Sequence, residues 1–134
     1  MPTLIVSQAV ALIQRDQYDR DPGLGDVSFY SAELSIDGSP AGWLLGELRT
    51  VQVHDSSIGE VWERQGMATF RFNERDTIVV AGVVSYPVGT LHSPNERGFW
   101  RAVIGGTGAY SGTRGEVESV RAEGGFFTHT FTLL

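Results

Sequence analysis

The chain has 134 residues, no cysteine and a formal net charge of −6 at pH 7. The absence of cysteine excludes disulfides, thiol nucleophiles and cysteine-based zinc or iron–sulfur sites. All 10 basic residues are arginine, which excludes lysine chemistry such as Schiff bases and P-loops, and the acidic balance argues against a nucleic-acid partner. The length predicts a single domain over residues 1–134.

The first residues show no pattern of a targeting signal. The apolar stretch 3–13 is interrupted by Ser7 and Gln8 and has neither a basic flank nor a small-residue cleavage site. No run approaches the roughly 18 apolar residues of a membrane helix. We therefore expect a cytoplasmic protein that does not bind a membrane.

Turn-forming residues divide the chain into eight predicted β-strands. Clusters of Gly, Pro, Asn and Asp lie at 19–23, 37–40, 55–59, 73–76, 86–98, 105–112 and 123–125. The strands between them cover about 4–16, 26–36, 41–54, 60–72, 77–85, 99–104, 113–122 and 126–134. Consecutive antiparallel strands favour an all-β, eight-stranded up-and-down barrel, because closure removes exposed edges; a two-sheet sandwich is the alternative.

The first strand carries a possible polar site. If Leu12, Gln14 and Asp16 share the inward face of Val10, they point into the barrel. Gln14 and Asp16 are then candidate substrate anchors, with Asp16 a possible proton acceptor paired with Arg64. The alternative is that Asp16 lies at the rim and caps the following turn.

Alternation along the later strands predicts which side chains face inward. The inward set comprises Trp62, Ala68, Phe70 and Phe72, then Ile78, Val80, Gly82 and Val84, then Trp100, Ala102 and Ile104, and finally Phe127, His129, Phe131 and Leu133. Arg101 is predicted to face outward.

Two strands are apolar on both faces. Both faces of each strand carry apolar residues: Trp43, Leu45, Val51 and Val53 oppose Leu44, Gly46 and Leu48, and Ile78, Val80, Gly82 and Val84 oppose Val79, Ala81 and Val83. We interpret the outer apolar surface as a self-association interface of a homodimer or other homo-oligomer.

The three histidines do not form a metal-binding pattern. His54 ends a strand, His92 lies in a loop, and His129 shares a face with aromatic residues. His129 fits either a hydrogen-bonded core residue or a functional group, and no metal or cofactor is predicted. The long segment 86–98 either covers the barrel mouth or is an ordinary surface loop.

Several segments resemble one known family in order and spacing. The run AVIGGTGAYSG at 102–112, followed by TRGEV, resembles the glycine turn of allene oxide cyclase and dirigent-like barrels. Gly25-Asp26-Val27, the MATFRF segment at 67–72 and Val80-Ala81-Gly82 are similar to further family segments. The resemblance implies an eight-stranded barrel, usually dimeric or trimeric, with a ligand cavity inside.

The family's polar site does not carry over. Positions where plant allene oxide cyclases have functional polar residues are Gln14, Asp16, Ala32, Leu48 and Val84 here, whereas the inward aromatics match Tyr30, Phe70 and Phe72. Jasmonate-precursor cyclisation is therefore not expected. The resemblance instead implies a small bacterial, cofactor-free polyketide cyclase that makes spirotetronates or spirotetramates by [4+2] cycloaddition.

The polyketide cyclase hypothesis assigns roles to the residues predicted to face inward. The candidate catalytic residues are Gln14, Asp16, Tyr30, Trp100 and His129, and the candidate substrate-binding residues are Leu12, Trp62, Phe70, Phe72, Tyr86, Phe127 and Phe131. The partner is a hydrophobic small molecule. The alternatives are a non-catalytic, dirigent-like binding barrel and a barrel whose interior is simply packed.

Overall fold

The computed structural model describes residues 2–15, 24–56, 59–87 and 98–134, which contain nine β-strands. They are β1 (Thr3–Gln8), β2 (Leu12–Arg15), β3 (Val27–Ile36), β4 (Ser39–Ser56), β5 (Gly59–Arg71), β6 (Thr77–Pro87), β7 (Gly98–Thr107), β8 (Gly115–Arg121) and β9 (Phe127–Leu133). Two 3₁₀ turns, Gly108–Tyr110 and Glu123–Gly125, follow β7 and β8. Within these residues, no helix is long and apolar enough to cross a membrane.

The strands form one closed antiparallel sheet. From β2 to β9 each strand pairs with its neighbour in the chain, and β1 pairs with both β9 and β3. The ring therefore has no open edge at the β1 seam. The predicted all-β, eight-stranded up-and-down barrel is confirmed, with the first predicted strand split into β1 and β2.

The split of the first strand reverses its faces. Gln8 pairs with Leu34, whereas Leu12 pairs with Ser31, so one extra residue lies between the two pairings. Such a bulge moves the following side chains to the opposite side of the sheet. Gln8 consequently faces inward before the bulge and Ile13 lines the interior after it.

The connection between β3 and β4 follows directly from its two residues. Asp37 and Gly38 both have positive φ, 51° and 80°, and join the paired residues Ile36 and Ser39. This is the geometry of a two-residue hairpin turn, in which Asp-Gly is a favoured pair. The predicted turn at 37–40 is confirmed.

The predicted glycine turn after β7 differs in detail. Gly105 and Gly106 belong to β7, and within the predicted turn at 105–112 the glycines with positive φ are Gly108 and Gly112. Gly106 is required for space, because a Cβ there would lie 2.5 Å from the carbonyl oxygen of Thr77. The Asp76 carboxylate accepts a hydrogen bond from the Ala109 backbone N–H and fixes the turn.

One half of the barrel interior is filled by apolar side chains. The cluster includes Val6, Leu44, Phe70, Ile78, Val117 and Phe131, each at most 1% exposed. The Phe70 and Phe131 rings meet edge to face, with 4.9 Å between centroids. Burying each such side chain contributes about 1.5–3 kcal/mol, so this half stabilises the barrel and leaves the other half for a site.

Candidate active site

A cavity of about 60 Å³ lies in the half of the barrel that the apolar cluster leaves unfilled. Four aromatic rings contribute to its wall: Tyr30, Tyr86, Phe99 and Phe127. The cavity exceeds the roughly 10–15 Å³ that a water molecule requires but is smaller than the roughly 150 Å³ cavity known to hold benzene. Tyr30, Phe99 and Phe127 are only half-buried, so they lie where the wall meets solvent.

Glycines opposite the large side chains create the room inside the barrel. A methyl group on Gly46 would overlap the ring of Tyr30, which pairs with it across β3 and β4. A Cβ on Gly82 would lie 3.1 Å from Cγ of Arg101. The alternation of large and small inward residues therefore positions Tyr30 and Arg101 in the lumen.

His129 lies at the centre of a buried hydrogen-bond chain. Its Nε2–H donates to the Gln8 side-chain oxygen over 2.7 Å, and its Nδ1 accepts from the Ser119 hydroxyl over 2.7 Å. Burial, and secondarily the positive charge of Arg101, holds the pKa of His129 well below its usual value. The imidazole is therefore neutral at physiological pH, with both ring nitrogens bonded.

The rings around His129 fix its orientation. Phe127 stacks nearly parallel to the imidazole, with 5.8 Å between centroids and an angle of 6°. Phe70 makes an edge-to-face contact with the imidazole, with 4.9 Å between centroids. Aromatic contacts of this kind add about 0.5–1.5 kcal/mol each, so the two rings restrict the imidazole's orientation.

Arg101 brings a second polar group to the cavity wall. The residue is 7% exposed, and its Nη2 donates a long hydrogen bond of 3.4 Å to the Ser119 oxygen. Its Cζ lies 5.4 Å from the centroid of the Phe99 ring. The predicted outward orientation of Arg101 is wrong.

A second buried arginine lies beside the site. Arg64 is 2% exposed, and its Nε donates to the Thr50 hydroxyl over 3.3 Å. Its guanidinium lies over the rings of Tyr86 and Trp62, at 4.7 and 5.3 Å. Burial raises the pKa of Tyr86 to about 12, so this phenol stays protonated as a possible hydrogen-bond donor.

The structure brings part of the predicted site together. Tyr30, Tyr86, Phe127 and His129 line the cavity. The predicted inward faces of β5, β6 and β9 are confirmed. Phe70, Phe72 and Phe131 also face inward, but they belong to or pack against the apolar cluster beneath the cavity. Trp62 is buried beside Arg64, and its indole N–H donates to Glu60 over 2.9 Å.

Three predicted site residues lie on the outside of the barrel. Trp100 is 54% exposed and Leu12 is 68% exposed, and Gln14 is also exposed. The bulge between β1 and β2 explains why Leu12 and Gln14 are exposed, since it turns the face that carries Val10 and Leu12 outward. Asp16, its predicted pairing with Arg64, His92 and residues 88–97 of the long loop lie outside the described residues.

The error at Trp100 has a different cause. Ala102 and Ile104 are exposed with it, and Arg101 and Val103 face the lumen. Trp100 and Ile104 instead lie on an outer apolar face of β4 to β7, whose exposed members include Leu45, Met67, Val83, Trp100 and Ile104. The prediction from hydrophobicity therefore assigned the wrong face of β7 to the lumen.

His54 lies on the outer surface, away from the lumen. Its Nε2–H donates to Glu63 over 3.0 Å, and this bond raises the pKa of His54 and lowers that of Glu63. Among the described residues, no three His, Asp or Glu side chains group closely enough to hold a metal ion.

Sequence reasoning missed Gln8, Arg101 and Ser119. Gln8 is 5% exposed and Ser119 is completely buried, so both are polar residues in the interior. The inward orientation of Arg101 could have been predicted from Phe99 and Val103, two apolar residues that share its face of β7. No comparable signal marks the one-residue bulge that makes Gln8 the inward glutamine.

Three solved structures share the fold over almost the whole chain. Pyocyanin demethylase aligns with a TM-score of 0.78 and 17% identity, over 99% of this chain and 100% of that chain. A pterocarpan synthase dirigent protein gives 0.61 and 15%, over 98% and 86%. A nonspecific heme-binding cyclase that catalyses [4+2] cycloaddition during neoabyssomicin biosynthesis gives 0.61 and 17%, over 98% and 66%.

These likenesses define the class of the fold. The chain is a barrel of the kind shared by dirigent proteins and this [4+2] cyclase, which confirms the fold implied by the resemblance in its sequence. Pyocyanin demethylase and the [4+2] cyclase are enzymes. No family model and no curated protein sequence matches the chain.

Proposed function

We propose that the protein is a cofactor-independent cyclase that closes a ring in a polyketide-derived substrate by intramolecular [4+2] cycloaddition. The observation that carries the proposal is the cavity wall, where aromatic rings surround a few fixed polar groups. The fold shared with a [4+2] cyclase supports it.

The reaction makes limited chemical demands on the protein. A diene and an alkene within one substrate exchange three π bonds for two σ bonds and one π bond, and no proton or electron leaves the substrate. Holding the reacting ends together lowers the barrier by up to about 7–11 kcal/mol in well-oriented cases. The aromatic wall suits this task, because flat rings press a flexible apolar chain into a folded shape.

Two neutral donors are assigned to polarise a substrate carbonyl. The Gln8 oxygen is committed to His129, which leaves the N–H donors of the same amide for the cavity. The Tyr86 hydroxyl is protonated at neutral pH, as any phenol is, and its raised pKa keeps it protonated in alkaline solution as well. A donor aimed at a carbonyl conjugated to the alkene stabilises the charge that develops during ring closure.

The size of the cavity determines how a substrate enters. About 60 Å³ accommodates only a few atoms, so the wall must open further when a substrate binds. The half-buried rings of Tyr30, Phe99 and Phe127 are the side chains positioned to move. The remainder of a longer substrate then extends past these three rings, away from the apolar cluster.

A second candidate is a dirigent-like barrel that orients a guest without catalysing its reaction. One observation favours it: a dirigent protein shares the fold over 98% of this chain. Such a protein would bind the substrate and alter the stereochemistry of the product without accelerating its formation.

A turnover assay separates the two candidates. Purified protein is incubated with a linear substrate that carries a conjugated diene and an electron-poor alkene, and the cyclised product is followed by chromatography. The cyclase predicts an initial rate well above that in buffer. A rate equal to buffer contradicts the cyclase, and a changed ratio of stereoisomers at that unchanged rate supports the dirigent-like barrel.

A further inference from the structure

Arg101 combines deep burial with incomplete hydrogen bonding. It is 7% exposed, and its Nε–H is buried without any hydrogen-bond partner. Within the described part of the chain its contacts are the Ser119 hydroxyl and the face of Phe99, neither of which carries a negative charge. A guanidinium is always ionised in proteins, so its charge remains uncompensated by these contacts.

The neighbours of Arg101 hold it at the cavity without using its Nε. Ser119 donates its only hydroxyl hydrogen to His129 and therefore accepts from Nη2 of Arg101. Gly82 leaves room for the arginine stem, since a side chain there would approach Cγ to 3.1 Å. Arg101 itself lines the cavity, and its Nε lies just beneath the surface of the wall, so a bound oxygen reaches this donor when the wall opens for a substrate.

We propose that Arg101 is an anion-binding subsite, whose Nε–H and positive charge take an anionic oxygen of the substrate. The substrate is accordingly an organic acid or an enolised carbonyl compound, with a carboxylate, enolate or phenolate as the bound group. A neutral carbonyl would satisfy the hydrogen bond but leave the buried charge without a counter-charge. An anionic oxygen satisfies both requirements, and charge-assisted hydrogen bonds are the stronger kind.

This inference rests on the proposed function in placing the substrate in the lumen, and it adds the class of substrate. An anion at Arg101 would anchor one end of the substrate, while the aromatic wall folds the apolar remainder. Neutral analogues, such as esters or amides of the same acid, should bind roughly tenfold more weakly or worse.

Nuclear magnetic resonance of the full ¹⁵N-labelled chain tests the subsite with acetate, and with acetamide as the neutral probe of matching shape. Acetate should shift the Nε–H resonance of Arg101 saturably, and acetamide at the same concentrations should not. R101Q should abolish the acetate response at the backbone amides of Gly82 and Ser119. R71Q, which removes an exposed arginine on β5, should leave that response intact.

Equal responses to acetate and acetamide would overturn the proposal, as would no saturable response to acetate at millimolar concentration. A response that persists in R101Q would also overturn it. If R101Q does not fold, the comparison of the two probes on the wild-type chain decides. Because the experiment measures binding without turnover, its failure leaves ring closure to be judged separately by the turnover assay.

Discussion

The side-chain oxygen of Gln8 lies 2.7 Å from Nε2 of His129, although the two residues are 121 positions apart in the chain. Gln8 ends β1 and His129 lies in β9, so the bond joins the first and last strands inside the lumen. The Ser119 hydroxyl on β8 completes the chain through Nδ1. A buried polar chain therefore supplements the strand pairing at the seam of the barrel.

Substitution of Gln8 should weaken the barrel. Gln8→Leu leaves the buried His129 Nε2–H without its acceptor, and such a loss costs about 1–3 kcal/mol. The free energy of unfolding, measured by urea titration, should fall by this amount. Ser7→Ala, which changes the exposed neighbour on β1, is the matched control and should have little effect. Equal stability of Gln8→Leu and wild type would contradict the role of this bond.

Acid should destabilise the protein through His129. The folded-state pKa of His129 lies below the usual value of about 6.5. As the pH falls below that value, His129 therefore binds a proton in the unfolded chain but not in the folded chain. The free energy of unfolding should therefore fall as the pH drops below about 6.5, by up to about 1.4 kcal/mol per pH unit. His129→Gln should remove this contribution, as measured by urea titrations between pH 5 and 7.

His54 provides a control of opposite sign. Its hydrogen bond to Glu63 raises its pKa, so its contribution to stability is present at low pH and is lost as the pH rises through the folded-state value. His54→Gln should therefore preserve the loss of stability in acid, or make it steeper. Identical pH dependence of wild type and His129→Gln would show that the buried imidazole does not titrate as inferred.

Tyr30 and Trp100 should differ in their effect on turnover. Tyr30→Ala removes a ring from the cavity wall and should reduce the rate of ring closure at least roughly tenfold, as expected for a positioning group. Trp100→Ala removes an exposed ring from the outer apolar face and should leave the rate of folded protein nearly unchanged. Circular dichroism checks folding, and Glu118→Ala is the surface control. A larger loss in Trp100→Ala would place the reaction elsewhere.

The outer apolar face should mediate self-association. Leu45, Met67, Val83, Trp100 and Ile104 are 43 to 54% exposed on neighbouring strands, and stable interfaces bury about 800 Å² per partner. We predict a homo-oligomer in light-scattering measurements after gel filtration. Met67→Glu should shift it toward the monomer, whereas Thr128→Glu on the outside of β9 should not. A monomeric wild type at micromolar concentration would contradict this assignment.

Much of the fold could be predicted because turn chemistry and strand alternation are local properties. Asp37 and Gly38 determine a hairpin by their own backbone preferences, and β9 alternates clearly between Phe, His and Thr. Closure into a barrel followed from the need to pair the edges of successive strands. These features can be predicted without knowing which residues distant in the chain are in contact.

The candidate site was harder to predict, because it depends on which face of each strand is buried. On β7, alternation separates Arg101 and Val103 from Trp100 and Ile104 but does not say which pair faces the lumen. The more apolar face of a strand is usually taken to point inward, and on β7 this rule fails because the outer face is apolar. In the predicted first strand, the bulge contains no glycine or proline that would mark it in the sequence. Because of this bulge, Gln8 faces inward in place of the predicted Gln14.

The most direct test of the account compares one substitution on the two faces of β3. Ser28 is 4% exposed and lines the cavity, whereas Ser31 lies on the opposite face of the same strand. The measurement is the initial rate of ring closure by folded Ser28→Leu and Ser31→Leu variants. Reaction inside the lumen predicts that Ser28→Leu, which fills the cavity, abolishes turnover while Ser31→Leu retains it. Equal rates for the two variants would contradict a reaction inside the barrel.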